Sequence, residues 1–350
     1  MCARAANMLN YKLQSLLTQP KRSSTEVIIN ETGDAEHKES SEEDNEKILL
    51  APYDYICQIP GKNMKSKLIA LQAFNYWLNI PDEKLKIILD VIQMLHNARM
   101  LIDDIEDYSN LRRGIPVAHN IFGVPHTINS ANYVYFLGLQ KLQALNHPDV
   151  NKIFTEQMLG LHQGQGMDIY WKNTNACPSE QEYMLMVLKK SGGLFGLGVK
   201  LMQLFSENKS HFGSHLGFKQ SDFKHLINVL VCYFQVRDDY ANLISKEHEA
   251  NKSYASDLTE GRFSFPIIHA ISSNPNDNQI LSILRQRTTD LDVKKYCVEL
   301  MDKKGSFEYT IMKLNEMNRS ASNLIMRCGG NKHMVDLIDE LKKVYEDNSC

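Results

Sequence analysis

The stretch MLHNARMLIDDIEDYSNLRRG, Met94–Gly114, crowds three aspartates and two arginines into one short segment. Asp103, Asp104 and Asp107 form D-D-x-x-D. On a helix, Asp103 and Asp107 stand one turn apart on one face, with Asp104 adjacent. Like charges at that spacing repel, so the helix gains nothing from them and something positive has to gather there. Carboxylate oxygens in this arrangement suit Mg²⁺, which takes one or two carboxylates and fills its shell with water and phosphate oxygens. A second pair, Asp238 and Asp239, ends the apolar run FKHLINVLVCYFQVRDDYANL, with Asn242 one turn beyond Asp238. Two aspartate-tipped helices would make two facing walls, and metal between them would hold a polyphosphate.

The cations agree with that reading. Arg112 and Arg113 follow the first cluster, Lys189 and Lys190 precede Ser-Gly-Gly, and Lys252 and Arg262 follow the second cluster. Each alone reads as surface charge. Together with the acids they read as a diphosphate cradle. Such a site ionises a carbon–oxygen bond: metal and cations stabilise the departing diphosphate, and an apolar pocket shelters the carbocation.

Helices must position these groups. DEKLKIILDVIQMLHNARMLIDDIED has an apolar stripe at Ile87, Val91, Met94, Ala98, Leu101 and Ile105, spaced by three or four. Phe223–Leu243 and His126–Leu145 also read as long, largely buried helices. Gly, Pro and Asn clusters at Gly123–Pro125, Cys177–Pro178 and Ser273–Asn276 punctuate them. No strand-like alternation and no short repeat is evident. The chain therefore reads as one all-α domain from Ile48 to about Tyr345. Before it, Arg22–Lys47 is polar, charged and non-periodic. Residues 1–25 are weakly basic, so residues 1–47 read as a disordered tail, with a targeting segment as the alternative.

Bulk properties narrow the function. A net charge of −3 over 350 residues lacks the basic excess that holds a polyanion, which argues against a generic nucleic-acid binder. Seven scattered cysteines without a C-x-x-C spacing suggest free thiols in a reducing compartment. No apolar run approaches the roughly 20 residues of a membrane span. The expected location is cytoplasmic, with the mitochondrion as the alternative.

The motifs resemble those of the trans-isoprenyl diphosphate synthases, and of geranylgeranyl diphosphate synthases in particular. The likeness covers nearly the whole chain from Ile48. It is carried by PGK (Pro60–Lys62), LHN (Leu95–Asn97), DDIED (Asp103–Asp107), LRRG (Leu111–Gly114), HQGQGMDIYW (His162–Trp171), GGLFGL (Gly192–Leu197), FQVRDDYANL (Phe234–Leu243), DLTEGRFSFP (Asp257–Pro266) and GSFEYT (Gly305–Thr310). The resemblance implies a bundle of long helices around a central cavity, homo-oligomers and about three Mg²⁺ ions. It assigns Asp103, Asp104, Asp107, Asp238 and Asp239 to the metals. It assigns Arg112, Lys190 and Lys252 to the allylic diphosphate, with Gln165, Asp168 and Gln235 near the same pocket. Lys62, His96 and Arg113 match ligands of the second substrate, isopentenyl diphosphate. Asp103, Asp104, Asp238 and Lys190 are the expected catalytic groups.

Departures from the family pattern fall on substrate positions. Lys65 stands where the family carries arginine, and an ammonium lacks the bidentate fork for phosphate. Arg262 stands where lysine is usual, and Tyr108 replaces a small polar residue. Arg99 is the sharpest departure. It interrupts a second apolar stripe, Ile88, Ile92, Leu95, Arg99, Ile102, at a position where the family implies a small neutral residue on the floor of the tail pocket. It reads either as an i,i+4 partner of Asp103 or as a plug that shortens that pocket.

Three functions compete. A standard synthase condenses farnesyl with isopentenyl diphosphate to the C20 product. A repurposed, insect-type paralogue ionises an allylic diphosphate such as geranyl diphosphate and releases a small terpene hydrocarbon. A pseudoenzyme subunit would regulate a partner, but both acidic motifs are intact. Lys65 and Arg99 together tip the reading toward the terpene synthase. Lys246 at the place where terpene synthases carry serine counts against it.

Overall fold

The helix that carries the first acidic cluster is buried more widely than one stripe predicts. It runs Asp82–Glu106. Val91, Ala98 and Leu101 of the expected stripe are fully buried, but so are Ile88, Ile92 and Leu95 of the second stripe. Ile87, Met94 and Ile105 are only half-buried. A helix packed on two sides becomes a central element of the bundle, and the one cation in that second stripe, Arg99, is carried inward with it.

The structure is a computed structural model that describes residues 36–58, 62–112, 114–207, 220–244 and 254–346, with no side-chain description at 36–42, 62–65 and 220–222. Its helices, in chain order, are α1 Glu36–Cys57, α2 Lys62–Leu78, α3 Asp82–Glu106, α4 Ala118–Phe122, α5 Val124–Gln143, α6 Val150–Thr174, α7 Glu180–Lys190, α8 Gly192–Leu204, α9 Gln220–Ile244, α10 Ser256–Glu260, α11 Phe265–Ser272, α12 Gln279–Gln286, α13 Leu291–Lys303, α14 Ser306–Arg327 and α15 Lys332–Glu346. The fold is all-α. Among the described residues the only strands are β1, Leu111–Arg112, and β2, Ile115–Pro116, paired antiparallel with Arg112 opposite Ile115.

The chain divides into two compact units, Met1–Lys47 and Ile48–Cys350. In the first, the described residues 36–47 are helical. The polar segment that the sequence reads as part of a disordered tail therefore contains the first turns of α1. The basic residues 1–25 lie outside the described residues. In the second unit, α3 packs along α5, α6 along α7 and α8, and α9 along α14. An aromatic cluster of Phe74, Trp77, Phe195 and Phe223 joins α2, α8 and α9 through edge-to-face contacts at 4.9–5.8 Å. No helix among the described residues is long and apolar enough to cross a membrane.

Candidate active site

The first acidic wall closes α3. Tyr108 sits at φ 54° just past the helix, a left-handed conformation that stops it, and the Ser109 N–H donates to the Asp104 carbonyl at 2.9 Å. The β1–β2 hairpin then turns the chain back, with Gly114 at φ +83°. That return lays the Arg112 guanidinium on Asp104, Nε to Oδ1 at 2.6 Å. Asp107 accepts from Lys172 of α6. Asp103 accepts from Arg99, Nη2 to Oδ2 at 2.9 Å. All three aspartates are buried, and each holds a protein cation.

The acids respond differently to this setting. Burial raises a carboxyl's pKa, but at Asp103 the Arg99 guanidinium, backed by Lys190, Arg112 and Arg262, outweighs it and holds the group at about 2. At Asp104 burial wins over Arg112 and the pKa is raised. Glu106 is raised by burial and accepts from Gln165 Nε2 at 2.6 Å.

The cradle behind the first wall is built by α6 and α7. A capping box fixes the start of α7: Ser179 N–H donates to Glu182 at 2.8 Å, and Glu182 N–H donates to the Ser179 hydroxyl at 3.3 Å. One helix length on, Lys190 donates to Asp168 at 2.5 Å. Asp168 also pairs with Lys172 at 3.4 Å, and all three side chains are buried. Buried as it is, Asp168 is driven well below the usual carboxylate range by Lys190, Arg262 and Lys172.

The second wall divides its two aspartates. Asp238 is partly exposed and pairs with Arg237 at 2.5 Å. Asp239 is buried and accepts from Tyr183 OH, from Gln235 Nε2 at 2.8 Å and from the Phe265 N–H at 2.9 Å. Gln235 in turn accepts from Ser191 at 2.6 Å. Asp239, expected beside the metal, is therefore braced by protein on both oxygens, and Asp238 is the more open carboxylate. Asn242 ties the helix end to the next segment, donating to Ser256 at 2.8 Å and accepting from the Asp257 N–H at 3.1 Å.

Cations link the two walls. Burial pushes the Lys67 ammonium down to about 8; Arg99 and Arg237 add to this, while Asp238 and Asp103 oppose it. Lys67 thus feels the leading acid of both walls. Arg262, half-buried, is held charged against burial by Asp239, Asp257, Asp168 and Glu260. Its Nη1 lies 3.9 Å from Asp257.

Of the residues expected from the sequence, Asp103, Asp104, Asp107, Arg99, Arg112, Gln165, Asp168, Lys190, Gln235, Asp238, Asp239 and Arg262 join this charged cluster. His96 is half-buried on α3, one turn before Arg99. Arg113 and Lys252 lie outside the described residues, as do the side chains of Lys62 and Lys65. The sequence reading missed Lys172, Tyr183, Lys67 and Glu106. Lys172 stands four residues after Asp168, an i,i+4 signal that was legible; Tyr183 carried none.

The donor chemistry fits Mg²⁺. Among the described residues no three His, Cys, Asp or Glu side chains converge as a ready metal site. Mg²⁺ does not require one, since water and phosphate oxygens complete its shell. Asp103 Oδ1 is buried and has no hydrogen-bond partner, so one hard oxygen of the first wall is open.

The polyprenyl synthetase family model matches residues 46–301. A protein named terpene synthase from Matsumurasca onukii is 50% identical over 316 residues, covering 90% of this chain and 97% of that protein. A geranylgeranyl pyrophosphate synthase from Metarhizium anisopliae is 50% identical over 322 residues, covering 91% of this chain and 93% of its own. One from Dictyostelium discoideum is 48% identical over 294 residues, covering 84% and 93%.

Proposed function

The chain belongs to the polyprenyl synthetase family of prenyl-diphosphate-using enzymes, and on that premise we propose that it condenses an allylic diphosphate with isopentenyl diphosphate, forming geranylgeranyl diphosphate. The sequence alone tips toward a terpene synthase; the relatives, mostly named geranylgeranyl pyrophosphate synthases, favour chain elongation. The observation that carries the reading is the array of cations on the first acidic wall, Arg99 on Asp103, Arg112 on Asp104 and Lys172 on Asp107, with buried Lys190 on Asp168 beside it.

The family is Mg²⁺-dependent. In this chain Asp103, Asp107 and Asp238 would hold the ions, about three in number by family likeness, and the ions when bound would draw negative charge from the diphosphate. The protein's own groups do the rest. Lys190 and Arg262 set fixed positive charge where the leaving diphosphate gains negative charge. Asp168 and Lys172 hold that array in place. Arg112, Lys62, Lys65, Arg113, His96 and Lys252 complete the two diphosphate sites. Family likeness favours a homo-oligomer, and the cytoplasm is the expected location, with the mitochondrion as the alternative.

Arg99 favours a second reading. It lies nearly buried at the first wall where the family implies a small residue, and a relative of equal identity is named a terpene synthase. In that reading geranyl diphosphate ionises and no second unit adds. Product analysis with Mg²⁺ and geranyl or farnesyl diphosphate, with and without isopentenyl diphosphate, separates the two. A C20 diphosphate that appears only with isopentenyl diphosphate is the expected result. Volatile terpene from geranyl diphosphate alone would reverse the choice.

A further inference from the structure

Arg112 and Lys172, which hold Asp104 and Asp107, come from outside α3. Arg99 is the one partner from the same helix, one turn earlier, and it interrupts an otherwise apolar stripe. Both ends of its ion pair with Asp103 are nearly buried, at 12% and 9% side-chain exposure, so solvent screens the pair weakly.

The pair is incomplete on both sides. Arg99 uses Nη2 on Asp103 Oδ2, while its buried Nε has no partner. Asp103 Oδ1 is likewise buried without a partner. Leaving a charged group's donor or acceptor open in a buried site is costly, and native structures fill such atoms with a ligand or water. The open acceptor on Asp103 suits a hard cation. The open donor on Arg99 suits an anionic oxygen.

Resting on the metal-dependent reading above, we propose that Arg99 is a positioning residue that divides Asp103 between a protein cation and the metal. It holds Oδ2, leaves Oδ1 to the divalent ion, and keeps the first wall's affinity for that ion low. The physical reason is direct. A guanidinium within hydrogen-bond reach of a metal's own carboxylate repels the ion and neutralises part of the charge that would attract it. The same residue offers its free Nε to a phosphate oxygen, so a diphosphate relieves the repulsion it creates.

The test is Mn²⁺ binding to the full chain without diphosphate, followed by electron paramagnetic resonance. Arg99→Gln should bind Mn²⁺ about tenfold more tightly than wild type, Arg99→Lys should keep the wild-type affinity because it keeps the charge, and Asp103→Asn should bind Mn²⁺ about tenfold more weakly. Arg99→Met, which retains the stem volume, reads the same quantity if Arg99→Gln does not fold. Unchanged or weaker binding in the neutral variants would overturn the proposal, as would equal tightening in Arg99→Lys or full binding in Asp103→Asn. A protein that shows these affinities but turns over no prenyl diphosphate would sink the functional reading and leave this one standing.

Discussion

Gly164→Ala is expected to destabilise the protein by about 3 kcal/mol and to displace Lys190 from the site. Gly164 lies on α6 where α7 crosses it. A Cβ there would overlap the Lys190 backbone N and come within 2.9 Å of the Lys190 Cα and the Lys189 Cβ. Two of those three atoms are backbone, so no rotamer change relieves the overlap and the helices must part. Because the same contact sets the height of Lys190 over Asp168, stability and catalysis should fall together. The denaturant midpoint and kcat/KM measure the two effects. A Gly164→Ala protein with wild-type stability would show that the helices can separate freely.

Asp168→Asn is the second large effect. The substitution keeps the shape and removes the charge that faces Lys190 at 2.5 Å and Lys172 at 3.4 Å. Lys172 retains Asp107, but buried Lys190 loses the carboxylate to which it donates. Breaking a buried pair from one side costs about 3 kcal/mol. The Asp168 carboxyl has a depressed pKa in the folded state, so its contribution is present above the unfolded value near 4 and is lost as pH falls through the folded one. The stability gap between wild type and Asp168→Asn should therefore be full at pH 7 and narrow as pH drops below about 4. Denaturant melts at the two pH values measure it, and a gap that widens in acid would contradict the assignment of charge to Asp168.

Parts of this site were legible in the sequence because helical spacing is a local rule. D-D-x-x-D puts Asp103 and Asp107 on one face whatever surrounds them, and Arg99 four residues earlier had to reach Asp103 or turn away. Its burial was not legible, because that depends on α3 being packed on two sides. Arg112 was grouped with the acids by its place in the sequence, but its seat on Asp104 depends on a hairpin with strands two residues long whose turn needs the positive φ of Gly114. Tyr183 on Asp239 is a contact between α7 and α9, set by how those helices cross, and one tyrosine among 15 carries no sign of it. Asp238 and Asp239 look equivalent as letters. Only the fold shows one braced by three donors and the other turned to Arg237.

The most direct measurement is release of inorganic diphosphate from farnesyl and isopentenyl diphosphates, in Mg²⁺ and in EDTA, with Asp103→Ala beside the wild type and its helicity checked by circular dichroism. If the two acidic walls act through a divalent ion to ionise the allylic substrate, release should occur in Mg²⁺. It should fall about a hundredfold or more in EDTA and in the folded variant. Equal release in EDTA, or full activity in Asp103→Ala, would contradict the account.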